Sequence, residues 1–355
     1  MPTPVGRPRG SEISMGSNKI ETVELGTGGP RVGVQGLGCM GMSFAYGPTD
    51  ADEARATLER ALELGVTLFD TADMYGMGEN EKFIAPFIQA HRDEVVVATK
   101  FAISPDPDHP DNPYKRVIRN DRPYIRQAVE GSLKRLGVDE IDLYYMHRRA
   151  VDVPLEESVG AMAELVAEGK VKHLGLSEVT GSELRAAQAV HPIAALQSEW
   201  SLFSRDIEDG VVQTAAELGV GLVPYSPLGR GFLTGAFVSA DKELTKDDFR
   251  RTQPRFTGDN ATANAALLEP VRTVADAHGA TLGQIALAWL QHQAAARGPA
   301  VVPIPGTRKR SRVEENTGAG RIALTEQDLA LLEPIAGQVA GARYADMTLT
   351  SAGRE

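Results

Sequence analysis

Short runs of β-branched and aliphatic residues alternate with longer stretches of helical periodicity along nearly the whole chain. The strand candidates are VGVQGLG (32–38), TLFDTAD (67–73), VVVATK (95–100), IDLYYMH (141–147), HLGLSE (173–178), IAALQSEW (193–200), GLVPYSP (221–227) and AVVPIPGT (300–307). Several are almost continuously apolar, as in parallel strands packed on the inside and covered on the outside. The segments between them carry helix signals. Asp50 or Thr49 precedes ADEARATLERALELG, whose first turn is acidic and which stops at Gly65. Helical patterns follow over 122–137, 155–169, 182–191 and 206–219, three of them ending at glycine. Strict βα alternation implies a parallel sheet. Eight units favour a closed (β/α)8 TIM barrel over an open doubly wound sheet of about five or six strands. The opening IETVELGTGGPRVGVQGLG, with its turn-rich GTGG, predicts an N-terminal hairpin capping the barrel floor.

Three connections are longer than usual. Residues 103–121 are rich in proline and aspartate, residues 229–262 join GRGFLTG to a polar run, and the end after Arg321 carries a helical TEQDLALLEPIAG and a polar terminus. The first two follow the third and seventh strands, so they fall on the C-terminal face where barrel enzymes keep their sites. The expected organisation is a disordered leader (1–20), one barrel domain (21–340) and a tail (341–355).

Composition narrows the function classes. A 355-residue chain, 42% hydrophobic and 24% charged, suffices for one barrel core. A net charge of −11 opposes binding to nucleic acid or to an anionic membrane. The single cysteine, Cys39, excludes an intrachain disulfide and a cysteine zinc cage, and it fits a reducing compartment. No apolar run approaches the roughly 20 residues of a membrane span, and residues 1–20 lack the apolar stretch of a secretory signal. The expectation is a cytoplasmic enzyme with no metal. Homo-oligomerisation stays open, since no heptad or apolar stripe announces an interface.

Asp70, Lys100 and His147 sit at or near the ends of the second, third and fourth strands, with Tyr75 just beyond Asp70. Singly, each has an ordinary reading: a helix-capping Asp, a snorkelling Lys, a satisfied core His. Together they place an acid, a cation, a phenol and an imidazole on one barrel rim, which points to catalysis. Carbonyl reduction needs a hydride donor and a proton donor for the developing alkoxide. A phenol titrates near about 10, and an adjacent ammonium lowers that value. Asp70 would hold Lys100 charged, and His147 would orient the carbonyl oxygen.

These residues, with GLGCMGMS (36–43), FDTADMYGMGENE (69–81), SLKRLGVDEIDLYYMH (132–147), GKVKHLGLSE (169–178), LQSEWSLFSR (196–205), VPYSPLGRGFLTG (223–235) and IPGTRKRSRVEEN (304–316), make the chain resemble the aldo-keto reductase family over roughly 20–340. The resemblance implies reversible, NADPH-dependent reduction of a small aldehyde or ketone, with a tetrad of Asp70, Tyr75, Lys100 and His147 and with Tyr75 as general acid.

Gly36-Leu-Gly38-Cys-Met-Gly41 satisfies GxGxxG, but SFAYGPTD intervenes before any helix, so a Rossmann phosphate turn is not expected. The better phosphate signal is Gly306–Arg312, four cations and two hydroxyls where a helix begins after the eighth strand. Met without context it would be a solvated basic turn; at this place in a barrel it reads as a phosphate site. By resemblance, Thr307, Arg308 and Arg312 hold the adenosine 2′-phosphate, and Glu315 and Asn316 contact adenine. Ser177 and Gln197 bind the carboxamide, and Tyr225 stacks on nicotinamide. Ser226, Leu228 and Gly231 follow the pyrophosphate, and Met40 completes the set. Arginine's planar fork favours NADPH over NADH. Glu178 departs from the family, where Asn is usual; a carboxylate cannot donate to the carboxamide oxygen.

Trp200 and Phe203, with the loops at 103–121 and 229–262, are expected to form the substrate pocket, although an ordinary buried indole fits Trp200 as well. Arg148 and Arg149 read as surface charges paired with carboxylates, the alternative being that one faces the pocket and favours an acidic substrate. Two other function classes compete. One is a cofactor-binding regulatory module like potassium-channel β-subunits, for which no partner-binding extension is visible. The other is a Schiff-base lyase with Lys100 as nucleophile, which needs a neutral amine that Asp70 would oppose.

Overall fold

The structure is a computed structural model describing residues 19–109, 111 and 115–354, so most of the expected leader lies outside the described residues. The chain enters as an antiparallel hairpin, β1 (Thr22–Glu24) against β2 (Arg31–Gly33). Its turn depends on glycine: Gly26 has φ +76°, and a Cβ there would lie 2.1 Å from the Ala194 carbonyl oxygen. Leu25 and Val32 pack with Leu68, Ala98, Leu143, Tyr145 and Val223 in a core inside the barrel. The hairpin thus plugs the barrel floor, as expected. The strand expected over 32–38 is divided: its first residues belong to the hairpin, and only β3 (Leu37–Gly38) joins the barrel.

The barrel wall continues with β4 (Leu68–Asp70) and β5 (Val96–Phe101). A small antiparallel pair then leaves it, β6 (Ile103–Pro105) with β7 (Arg116–Ile118). The wall resumes with β8 (Ile141–Met146), β9 (Val171–Ser177), β10 (Ile193–Glu199) and β11 (Gly221–Tyr225). All seven wall strands are parallel, in the order β3-β4-β5-β8-β9-β10-β11. The eighth position is filled by residues 300–306 through isolated parallel bridges, Leu222 to Val301 and Tyr225 to Ile304 on one side and Gly38 to Gly306 on the other. Pro303 and Pro305 lack N–H donors, so a regular ladder cannot form there. Val302 N still donates to the Leu222 carbonyl, and Gly36 N to that of Pro303, which closes the (β/α)8 TIM barrel.

The helices begin where side chains can cap them. Asp50 accepts from Asp52 N and Glu53 N ahead of Ala51–Glu63, and Asp121 accepts from Tyr124 N ahead of Arg122–Leu136. The helix expected over 206–219 is a 3-10 turn, Asp206–Glu208, followed by Val211–Leu218, the break falling at Gly210 with φ 104°. Residues 229–262 are not shapeless: they hold the turn Gly229–Thr234 and the helix Ala240–Glu243, and they lead into Gly258–Ala266. The segment after 340 folds back on the barrel, burying Arg343, Thr350 and Ser351. Among the described residues no helix is long and apolar enough to cross a membrane.

Candidate active site

Strand register places the reactive side chains. Asp70 ends β4, Lys100 is the penultimate residue of β5, and His147 follows β8 directly. Tyr75 opens a tight turn, Tyr75–Gly78, in which Gly76 and Met77 both have left-handed φ. The Lys100 ammonium bonds Asp70 Oδ1 and donates to the Thr71 carbonyl at 2.7 Å. Gln197 Nε2 donates to Asp70 Oδ2 at 2.7 Å. Lys100 Nζ lies 5.2 Å from the Tyr75 ring centroid. His147 meets the same ring edge-on at 5.9 Å, and Phe44 stacks on it at 6.3 Å. The fold therefore brings Asp70, Tyr75, Lys100 and His147 together. Asn80, which sequence reasoning missed, braces this corner: buried, it donates to the Cys39 carbonyl and Ser43 Oγ and accepts from Thr71 Oγ1.

The electrostatics follow from burial and neighbours. Burial, the largest single influence, would lower Lys100, but the charges of and hydrogen bonds to Asp70 and Tyr75 together outweigh it, and the ammonium titrates above its ordinary value. This opposes the neutral amine that a Schiff-base nucleophile requires. Burial raises the Tyr75 phenol above its ordinary value, with the Lys100 charge pulling the other way. Lys100 acts in the expected direction, but burial dominates. Burial, then the Arg148 and Lys100 charges, push His147 well below its ordinary value, so the imidazole is neutral. Its Nδ1 is buried and unpartnered, which leaves Nε2 as the nitrogen open to the cavity.

That cavity, about 530 Å³, runs from the tetrad to the residues after the eighth strand. Met40, Ser177, Gln197, Tyr225, Ser226, Leu228, Gly231, Thr307, Arg308, Arg312 and Asn316 all line it. Glu315 does not. Its carboxylate accepts from Thr281 Oγ1 at 2.7 Å and Arg312 Nη1 at 2.6 Å, tying two helix starts together. Arg308 is also committed: its guanidinium donates to the carbonyls of Gly41, Tyr46 and Gly47 and to Thr49 Oγ1, stapling that loop across the cavity. Lys309 lines the same end without an ion pair among the described residues.

Two expectations about the substrate pocket are corrected. Trp200 and Phe203 do not reach the cavity. Trp200 is fully buried, its indole donating to Glu208 and packing edge-on against Trp289, and Phe203 packs on Phe232. Both follow the last residue of β10 and turn into the layer between barrel and helices. The two expected loops do contribute, Ile103 from 103–121 and Phe249 from 229–262, and Phe44, Met74 and Tyr344 complete the apolar lining. Arg149 pairs with Glu183 at 3.3 Å, as expected, whereas Arg148 lines the cavity.

Glu178 has left-handed φ (53°) and its carboxylate turns away from the cavity. It accepts from Arg343 Nη1 at 2.9 Å and Nη2 at 3.2 Å, from Tyr225 Oη at 2.8 Å and from Ser351 N at 3.2 Å. Burial raises this carboxyl, but the Arg343 and Arg148 charges outweigh it and hold it at about 2. Arg343 and Tyr344 were missed in the polar tail; no local pattern marks them, and only a basic–aromatic pair in an otherwise plain terminus sets them apart. Arg230 completes the mouth, donating to Tyr344 Oη at 2.7 Å.

Known proteins share this sequence family and fold. The model of the Aldo/keto reductase family matches residues 36–336. A Glycine max protein named "Probable aldo-keto reductase 1" is 43% identical over 330 residues, covering 92% of each sequence. A glycerol dehydrogenase from Gluconobacter oxydans superposes with a TM-score of 0.78 at 27% identity, over 92% of this chain and 97% of its own. A thermostable aldo-keto reductase solved with the inhibitor epalrestat gives a TM-score of 0.68 at 30% identity, over 89% of this chain and all of its own (100%). With the family model spanning the barrel and these relatives spanning nearly the whole chain, this oxidoreductase belongs to the aldo/keto reductase family.

Proposed function

We propose that the chain reduces aldehydes or ketones to alcohols, reversibly, with NADPH as hydride donor and Tyr75 as proton donor. The observation that carries this reading is the convergence of Tyr75, Asp70 and His147, with buried Lys100 bonded to Asp70, at one end of a cavity whose other end is basic. The lining holds Arg148, Arg230, Arg250, Arg308, Lys309 and Arg312 against one carboxylate, Asp70, in a chain whose net charge is −11. Such local inversion of charge suits the phosphates of a dinucleotide. Thr307, Lys309 and Arg312, where the helix Arg310–Gly318 begins, would hold the 2′-phosphate. Ser226, Leu228 and Gly231 would follow the pyrophosphate, and Ser177 and Gln197 would orient the carboxamide beside the Tyr225 ring.

When bound, NADPH supplies the hydride that adds to the carbonyl carbon. Neutral His147 donates Nε2–H to the carbonyl oxygen and fixes its direction. Tyr75, kept protonated by burial, gives its phenolic proton to the same oxygen as negative charge develops there. The charged Lys100, held by Asp70, stabilises the phenolate left behind until solvent returns the proton. Loss of reduced-nicotinamide absorbance with an activated aromatic aldehyde tests the reading. Turnover with NADPH, and much less with NADH, is expected; failure of NADPH to bind would overturn the cofactor assignment and the reductase reading with it.

A further inference from the structure

The six cations lining the cavity are not equivalent. Arg250 pairs with Asp248 at 2.7 Å, Arg312 with Glu315 at 2.6 Å and Arg230 with Glu199 at 3.6 Å. Arg308 is spent on loop carbonyls, and Lys309 sits with it at the basic end. Arg148 differs in place and in partners. It follows His147 directly and forms no ion pair among the described residues. Its Nη1 donates to the His147 carbonyl at 2.7 Å and to Ser177 Oγ at 3.2 Å. Among the described residues Nε and Nη2 make no hydrogen bond, neither is a sealed unpartnered atom, and Arg148 lines the cavity. Glu178, the carboxylate whose charge reaches Arg148, is already engaged by Arg343, Tyr225 and Ser351.

Arg148 feels the Glu178 charge but makes no contact ion pair with it, so a ligand anion at the free edge of the guanidinium would add the charge-assisted hydrogen bonds that the protein does not supply. Its two neutral contacts fix the fork in place, as bidentate recognition requires. On the reading above the cofactor would not supply the anion: its phosphates would lie at the opposite end, and its nicotinamide end carries none. We infer that Arg148 anchors an acidic group, carboxylate or phosphate, carried by the carbonyl substrate itself. The physiological substrate is then an aldehyde or ketone bearing an anionic substituent, seated against the apolar wall of Phe44, Met74 and Ile103. This inference rests on the reductase reading above.

The test compares 4-carboxybenzaldehyde with its neutral methyl ester, and glyceraldehyde 3-phosphate with glyceraldehyde, all with saturating NADPH. In the wild type the charged member of at least one pair has the higher kcat/KM, by about tenfold or more, chiefly through KM. The pair that shows the preference identifies carboxylate or phosphate as the anchored group. Arg148→Gln brings that ratio close to one, and Arg148→Lys leaves it intermediate. Added salt lowers the wild-type ratio, a readout independent of how any variant folds. Neutral aldehydes reduced with no preference for their charged partners would overturn the inference alone. So would a preference that survives Arg148→Gln while the KM for NADPH rises, since Arg148 would then serve the cofactor. Reduction of no aldehyde at all would overturn the reductase reading instead.

Discussion

Replacing Glu178 with glutamine isolates the tie between the barrel mouth and the C-terminal segment. Glu178 is fully buried, Arg343 is 2% exposed, and their two hydrogen bonds are joined by those from Tyr225 and Ser351. A carboxyl held at about 2 instead of its ordinary 4.5 contributes about 3 kcal/mol at neutral pH by linkage. The same order results from stranding one partner of a buried ion pair, about 3–5 kcal/mol. Because the folded value is depressed, this contribution is complete above 4.5 and is lost as pH falls towards 2. Urea denaturation of wild type and Glu178→Gln at pH 7 is expected to differ by about 3 kcal/mol, with the gap closing on acidification. Proteolysis in 341–354 should accelerate in the variant, and Glu178→Gln combined with Arg343→Met should recover much of the loss. A gap below about 0.5 kcal/mol at pH 7, or one unchanged by acid, would refute the assignment of that stability to the Glu178 charge.

Three further outcomes follow from the same geometry. Gly26→Ala should destabilise by about 2 kcal/mol or more in thermal or urea unfolding, because the new Cβ meets the Ala194 carbonyl oxygen at a positive φ. Asp70→Asn leaves Lys100 buried without its counter-ion, so carbonyl reduction should fall by about 100-fold or more, with the loss in kcat rather than in the KM for NADPH. The rate of reduction should hold steady through neutral pH and decline only on the alkaline side, as Tyr75 loses its proton at or above the ordinary phenol range. A limb falling through neutral pH would contradict that direction.

The barrel and the placement of Asp70, Lys100 and His147 on its rim were legible for the same reason: apolar runs fix strands, and strand ends fix the rim. Asp70, Lys100 and His147 could be placed because each sits within a residue or so of a strand's last bridged position. Beyond that position the in–out alternation lapses, and one residue decides whether a side chain faces the mouth or the helical layer. Trp200 and Phe203 lie just past the end of β10 and turned outward, while Arg148, one residue after His147, turned in. The eighth strand looked regular in sequence, yet Pro303 and Pro305 reduce it to separate bridges. The 32–38 run was broken because its first residues cap the floor. The tail was the least legible segment. Its buried contact joins residues 178 and 343, 165 positions apart, which no local period can signal.

The central claim is that Tyr75 delivers the proton from a site that Lys100, Asp70 and His147 have prepared. Its most direct test is single-turnover oxidation of NADPH by an activated aromatic aldehyde in wild type and Tyr75→Phe, with NADPH affinity measured separately by fluorescence. The account predicts a rate lower by about 100-fold or more in the variant, with NADPH affinity unchanged. A variant that reduces the aldehyde at a rate near wild type would contradict it.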